Sequence, residues 1–288
     1  MMDFLHALVE YRFLQMALLA CLLASLGSGL IGTFVVVRRV GALAGGIAHA
    51  VLAGMGIAYF LGGSPVLGAA IAALLSALLI GLIQLRWRQD EDILIAAFWS
   101  VGMAIGVLFI AKTPGYNVNL MSYLFGNVLL VSEPDLWRML ALDAVIILTL
   151  ALCYKQFLAT AFDQEFARLR GVNVEFFYIL MLSLIALTVV LMIQIVGLIL
   201  VIALLILPAA SVSQFVVTLP RIMAGSALLS MAITCTGLSL SYTPDLPAGA
   251  TIIVVAGVVY LASMLLRRAQ LRRRKRSLAA DGRLRPGS

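Results

Sequence analysis

One histidine lies inside an apolar stretch of the sequence, where an imidazole could bind a metal ion. His49 falls within Gly41–Leu61, which is rich in glycine and alanine. Small residues recur there at every fourth position: Gly46, Ala50, Gly54 and Ala58. This spacing lets helix backbones approach closely, so His49 should face protein or a cavity rather than lipid. The neutral imidazole is a ligand for divalent metals, whereas a hydrogen bond to a neighbouring helix is the alternative interpretation.

Asp143 is the second ionisable residue within an apolar stretch. It lies about two turns into the stretch Leu136–Tyr154. A carboxylate at that depth is a possible oxygen ligand for a metal, because charged groups are rare inside membrane helices without a function. The alternative is a carboxylate that reaches towards the membrane–water interface or lies in a water-filled cavity.

The residue sets of common enzymes are absent from the sequence. Its only lysines, Lys112, Lys155 and Lys275, do not follow a glycine, so no phosphate-binding Walker A loop is present. With His6 and His49 as the only histidines, an HExxH metalloprotease site is excluded. A GxSxG nucleophile motif is also missing. We therefore predict a protein that is not an enzyme and does not hydrolyse ATP itself.

A short amphipathic helix is predicted between Phe162 and Gly171. The pair Thr160 and Asp163 resembles a capping box at its start, and Gly171 is a typical helix end. The apolar residues Phe162, Phe166 and Leu169 share one face, and the other positions carry Asp163, Gln164, Glu165 and Arg168. Such a helix is either a connector resting on its own bundle or a coupling helix that sits in a groove of a partner.

The composition indicates that lipid surrounds most of these elements. Of 288 residues, 63% are hydrophobic and 11% are charged, whereas soluble domains carry about 25% charged residues. Since a membrane-spanning helix needs about 20 residues, the chain is an all-α, polytopic transmembrane bundle with about 8–9 spans. Nine candidate spans can be delimited: Phe13–Val37, Gly41–Leu61, Pro65–Leu85, Ile93–Ala111, Leu136–Tyr154, Glu175–Gln194, Val196–Val217, Ile222–Ser241 and Ala248–Leu266. Leu120–Val131 is too short to cross and is predicted as a half-helix.

The distribution of basic residues predicts the orientation. The net charge is +7, but the basic residues lie at the ends of apolar stretches, a pattern typical of topology signals and not of nucleic-acid binding. If the N-terminus is outside, all lysines and arginines except Arg12, Lys112 and Arg138 are cytoplasmic. We therefore predict a cytoplasmic C-terminus, with a permease domain over residues 1–266 and a basic, disordered tail over residues 267–288.

Six sequence blocks stand in a fixed order along the chain: Gly32-Thr33-Phe34-Val35-Val36-Val37-Arg38-Arg39, Ile47-Ala48-His49-Ala50-Val51-Leu52-Ala53-Gly54, Ser122-Tyr123-Leu124-Phe125-Gly126-Asn127, Phe162-Asp163-Gln164-Glu165-Phe166-Ala167, Leu207-Pro208-Ala209-Ala210, and Ser241-Tyr242 with Asp245-Leu246-Pro247. Through these blocks the sequence resembles, from about Leu26 to Leu266, the integral-membrane permeases of bacterial zinc and manganese ABC importers.

The resemblance implies a homodimeric permease in the bacterial plasma (inner) membrane. It also implies two cytoplasmic ATP-binding subunits and an extracytoplasmic metal-binding protein as partners. The divalent metal is then cargo, with no permanently bound cofactor. In this family the segment Phe162–Gly171 corresponds to the coupling region, which favours the coupling helix over the simple connector.

One position departs from the family pattern. The family commonly has an aspartate one helical turn before the histidine of the second span, and Gly45 stands there in this chain. Zinc accepts nitrogen-rich sites better than manganese, which prefers oxygen ligands, so we expect zinc as cargo. A secondary transporter driven by an ion gradient and an ABC permease for a metal chelate are the alternative functions.

Overall fold

The computed structural model describes residues 2–87, 91–113, 126, 128–242 and 246–280. Within these ranges it contains eleven α-helices, one short 3-10 helix at Val128–Leu130 and no strand. The helices are α1 (Met2–Glu10), α2 (Arg12–Val37), α3 (Gly41–Phe60), α4 (Pro65–Trp87), α5 (Glu91–Ala111), α6 (Glu133–Phe162), α7 (Gln164–Leu169), α8 (Val174–Val196), α9 (Leu198–Ser213), α10 (Leu219–Tyr242) and α11 (Ala248–Ala280).

Eight of these helices are long and apolar enough to cross a membrane, namely α2, α3, α4, α5, α6, α8, α10 and α11. The predicted all-α bundle of about 8–9 spans is therefore confirmed. Helix α9 is apolar but has only 16 residues, which is less than the roughly 20 that a full span requires. It occupies the place of the candidate span Val196–Val217.

A glycine separates α8 from α9. Gly197 has φ +86° and ψ 156°, a backbone conformation that residues with a side chain rarely adopt. The sequence between the two apolar stretches has no strongly polar break, and the separation comes instead from the conformational freedom of this residue. Two shorter helices, rather than one continuous helix, follow from it.

The small residues of α3 bring its backbone close to two neighbours. A Cβ atom added to Gly56 would lie 2.6 Å from the Gly106 carbonyl oxygen of α5, and one added to Gly54 would overlap the Gly68 carbonyl of α4. These close approaches confirm the packing that was predicted from the four-residue repeat. Helix α3 is thereby fixed between α4 and α5, with its middle buried.

Helices α2 and α8 contact most of the other long helices, whereas α5 and α11 pack on the outside. Helix α2 packs on α6, α9 and α10, and α8 packs on α3, α4 and α6. Helices α4, α5, α6 and α11 expose many large apolar side chains, among them Leu75, Leu108, Leu152 and Leu261. Such an apolar exterior is expected where lipid replaces water as the surrounding medium.

Several predicted boundaries shift. Helix α6 extends past the predicted span end at Tyr154 to Phe162, with a kink at Cys153 (φ −109°, ψ 16°). Its start matches the sequence, because Ser132 and Asp135 form the predicted capping box. Most of the predicted half-helix Leu120–Val131 lies outside the described residues.

Helix α11 does not end at Leu266, the predicted end of the last span, but continues to Ala280. Arginine, leucine, glutamine and lysine are good helix formers, and no glycine or proline interrupts them before Gly282. Residues 281–288 lie outside the described part, and the division into a permease domain and a tail stays a prediction.

Candidate metal site and coupling surface

His49 is buried in α3 and stacks on an aromatic ring of α5. Only 7% of the residue is exposed. Its imidazole lies parallel to the Trp99 indole, with ring centroids 4.2 Å apart and an angle of 10° between the planes. The Nδ1 atom is buried and has no hydrogen-bond partner among the described residues. The described residues thus offer no hydrogen bond to Nδ1, and the choice between a metal ligand and a histidine held by a neighbouring helix stays a prediction.

Gly45 lies one turn before His49, on the same face of α3. A Cβ atom added at Gly45 would have no heavy atom within 4 Å. Since residues four apart on a helix are neighbours, this open space adjoins the imidazole. The face of α3 that carries the only buried histidine of the described chain thus has room for a further ligand atom or an ion.

Asp143 is also buried, but at a different helix contact. It is 4% exposed, and its Oδ1 atom lies 2.5 Å from the position of a Cβ atom built on Gly27 of α2. Its Oδ2 atom has no hydrogen-bond partner among the described residues. A side chain larger than hydrogen at position 27 would displace this carboxylate, so Gly27 makes the space for it.

The structure does not combine His49 and Asp143 into one site. Helix α3 packs mainly on α4 and α5, whereas α6, which carries Asp143, packs on α2 and α8. Among the described residues no group of three or more histidines, cysteines, aspartates and glutamates could hold a metal ion. Within the described part, His49 and Asp143 are therefore single donors on separate helices.

The amphipathic helix predicted from Phe162 to Gly171 is present as α7, but it starts later. Asp163 is its N-cap and accepts a hydrogen bond from the Phe166 backbone N–H at 2.9 Å. The predicted capping role of Thr160 is wrong, because its hydroxyl donates to the Phe157 carbonyl within α6. Gly171 follows the helix with φ +76°, as expected for a terminating glycine.

The apolar side chains predicted for one face of α7 are largely exposed among the described residues. Phe162, Phe166 and Leu169 are 64%, 50% and 87% exposed. Glu165 and Arg168 lie on the same short helix, and Arg168 is 3.9 Å from Glu175 of α8. Phe162 ends α6, and Phe166 and Leu169 belong to α7, so the exposed apolar side chains span the junction of the two helices. The choice between a coupling helix and a simple connector stays a prediction.

Some residues of the two sites carry no signal in the sequence. Trp99 is an ordinary aromatic residue of a predicted span, and no periodicity relates it to His49, 50 positions earlier. Arg38 indicates topology in the sequence, but in the structure it contacts α6 and α7. Only the packing of distant helices shows these two roles.

Comparisons with known proteins agree with this architecture. An uncharacterized membrane protein of Synechocystis is 45% identical over 260 residues, 90% of this chain and 92% of the relative. A manganese transport system membrane protein of Halalkalibacterium halodurans is 34% identical, covering 89% and 88% of the two chains. The solved structure of PsaBC from Streptococcus pneumoniae in complex with a Fab superimposes with a TM-score of 0.82 at 30% identity, covering 91% and 94%.

The family comparison covers nearly the whole chain. The sequence model described as the ABC 3 transport family matches residues 10–267. This range includes every candidate span, His49, Asp143 and the whole of α7. The chain therefore belongs to the ABC 3 transport family, as its membrane permease component.

Proposed function

We propose that this chain is the permease subunit of an ATP-driven importer for a free divalent metal ion. The observation that carries the proposal is the family match over residues 10–267 of a bundle with eight membrane-spanning helices. The chain has no ATP-binding motif of its own, so the energy must come from another subunit. Transport then proceeds by alternating access, in which the bundle opens in turn to either side of the membrane.

The cargo that we propose is zinc. In this chain the buried donor is the imidazole of His49, and Gly45 supplies no carboxylate beside it. Nitrogen-rich sites of low coordination number suit zinc better than manganese. The manganese named for the Halalkalibacterium relative makes manganese the competing cargo. Iron is a third divalent metal to be compared.

His49 is proposed as a transit ligand, and Asp143 as a second donor at a different helix contact. Among the described residues, Nδ1 of His49 and Oδ2 of Asp143 have no hydrogen-bond partner, and this supports the two roles, since buried polar atoms normally have partners. We propose each of them as a separate contact for the ion, because α3 packs mainly on α4 and α5, whereas α6 packs on α2 and α8.

The proposed partners are those that the family implies, and the exposed residues of α7 and the basic C-terminal stretch support two of the assignments. We propose that cytoplasmic ATP-binding subunits seat on α7, the coupling helix, and that an extracytoplasmic metal-binding protein docks on the opposite side. A second copy of this chain would complete a homodimer in the bacterial plasma (inner) membrane, with the C-terminus in the cytoplasm. The basic stretch from Arg267 onwards supports that orientation.

Competition for uptake tests the nature of the cargo. Cells that carry the transporter should accumulate labelled zinc under metal scarcity, and free zinc should compete more strongly than free manganese. A strain without this chain should lose most of that uptake. Uptake that only a metal chelate inhibits would contradict a free-ion importer, and equal zinc, manganese and iron contents in the two strains would contradict metal import altogether.

A carboxylate introduced at Gly45 is expected to change the metal preference. The Gly45→Asp variant should assemble normally, because the added Cβ atom meets no other heavy atom within 4 Å. An oxygen ligand beside His49 should raise the manganese-to-zinc uptake ratio about tenfold or more, since hard oxygen ligands favour manganese. Gly46→Asp is the matched control, because that position faces Ile95 of α5 instead. An unchanged ratio in a well-assembled Gly45→Asp transporter would exclude this face from the metal pathway.

A further inference from the structure

Arg38 connects the turn between α2 and α3 with the start of the coupling helix. It is the residue at the C-terminal end of α2, and α3 begins three residues later at Gly41. Its Nη1 atom donates a hydrogen bond to the carbonyl oxygen of Thr160, in the last turn of α6. With the amide of Gln164 turned so that its oxygen faces the guanidinium, this oxygen accepts from both Nη atoms, at 2.9 and 3.1 Å. One side chain thus binds the end of α6 and the first residue of α7.

The same guanidinium extends the connection to two further helices. It lies over the ring of Tyr178 in α8, 5.5 Å from the ring centroid, which is within the range of a cation–π interaction. The Tyr178 hydroxyl in turn donates to the Gln84 side-chain oxygen of α4 at 2.8 Å. The planar guanidinium can bond two acceptors and stack on a ring at once, which an ammonium group cannot do.

These groups surround a cavity instead of filling a core. The cavity has a volume of about 570 Å³, and Arg38, Gln84, Gln164 and Tyr178 are among its lining residues. Outside this cavity, helix α7 contacts the bundle through α6 and α8. The Arg38 contacts therefore join the coupling helix to the α2–α3 turn at the wall of this cavity.

The position of that turn relates it to the metal site. Helix α3 starts just after Arg38 and carries His49 about two turns from its first residue. Its close contacts with α4 and α5 make it a rigid element, so a displacement at its start is passed along its axis. A movement of α7 that pulls on Arg38 would reach His49 by this route.

We propose that Arg38 is a positioning residue that transmits the movement of the coupling helix to α3, and thereby links ATP hydrolysis by the partner subunits to the exposure of the metal site. The proposal rests on the function proposed above. In this proposal Arg38 contacts neither the nucleotide nor the metal, and it acts through the α2–α3 turn. Replacing Arg38 should leave ATP hydrolysis by the partner subunits active but reduce the metal transport that accompanies each ATP hydrolysed.

The test is the number of metal ions moved per ATP hydrolysed by the whole complex in liposomes. Arg38→Lys keeps the charge and loses the forked geometry, and we expect that ratio to fall roughly 3- to 30-fold while ATP hydrolysis persists. Arg39→Lys is the matched control, because Arg39 is the exposed neighbour and should keep the wild-type ratio. Arg38→Lys and Arg39→Lys complexes with the same ratio would overturn the proposal.

A second variant keeps the test decisive if Arg38→Lys does not assemble. Gln164→Leu leaves Arg38 in place and removes an acceptor at the coupling helix, so the ratio should fall in the same direction by roughly threefold. A wild-type ratio in Gln164→Leu would also overturn the proposal. If the wild-type complex moves no metal, the proposed function is wrong. If the wild-type complex moves metal and the Arg38 and Gln164 variants have the wild-type ratio, the proposed function stands and the role of Arg38 in transmission is wrong.

Discussion

Replacing Phe166 by aspartate is expected to abolish the stimulation of the ATP-binding subunits by this permease. Phe166 is the central exposed aromatic residue of the coupling helix, with Arg170 lying 5.1 Å from its ring centroid. Buried aromatic anchors of protein interfaces contribute about 2 kcal/mol or more, and an unpaired charge in their place adds a desolvation cost. We expect stimulated ATP hydrolysis to fall at least about 30-fold, measured with detergent-purified complexes at fixed subunit concentrations.

The substitution leaves the helix itself intact. Position 166 is the third residue of α7 after its N-cap Asp163, and acidic residues are favourable in the first turn of a helix. A loss of stimulation therefore reports on the contact with the partner and not on unfolding. Phe215→Asp is the control, because Phe215 is 43% exposed and lies in the turn after α9, outside the coupling helix. Normal stimulation in Phe166→Asp, or equal losses in both variants, would contradict a specific coupling role for α7.

Replacing His49 by alanine is expected to lower metal uptake about 10- to 100-fold while the complex still assembles. Losing one group that holds a metal commonly costs this much in affinity, and His49 is the buried nitrogen donor of α3. Uptake of labelled zinc by liposomes with the complete complex measures the effect. The exposed His6, which lies on α1, provides the matched control, and His6→Ala should transport as the wild type does.

A second substitution at the same position separates ligation from packing. His49→Phe keeps an aromatic ring that can stack on Trp99, 4.2 Å away in the native pair, but it has no nitrogen. If His49 binds metal, the phenylalanine variant should be as inactive as the alanine variant. Recovery of uptake in His49→Phe would show that the stack on Trp99 is the function of this side chain, and the metal role would then be wrong.

The membrane bundle could be predicted from the sequence because lipid imposes simple rules on it. Apolar stretches of about 20 residues must form helices, and the small residues of α3 must face another backbone. The start of α6 was equally predictable, since Ser132 and Asp135 form a local capping box. These features depend on residues that are close in sequence.

The remaining features depend on contacts between residues that are far apart. Thr160 resembled an N-cap, but the kinked α6 continues past it, and the local pattern could not show that its hydroxyl bonds inside α6. The helix break at Gly197 depends on the positive φ angle of that residue, which the sequence does not show. The stack of His49 on Trp99 depends on the packing of α3 on α5. Arg38 served as a topology signal, whereas its contacts with Thr160 and Gln164 join segments more than 100 residues apart.

The most direct test of the central claim is zinc uptake by liposomes that contain this permease with or without its ATP-binding subunits. We expect zinc to accumulate against its gradient only when both the subunits and ATP are present, and not to accumulate when a proton or sodium gradient replaces ATP. Uptake by the permease alone under an ion gradient would contradict the account and identify a secondary transporter.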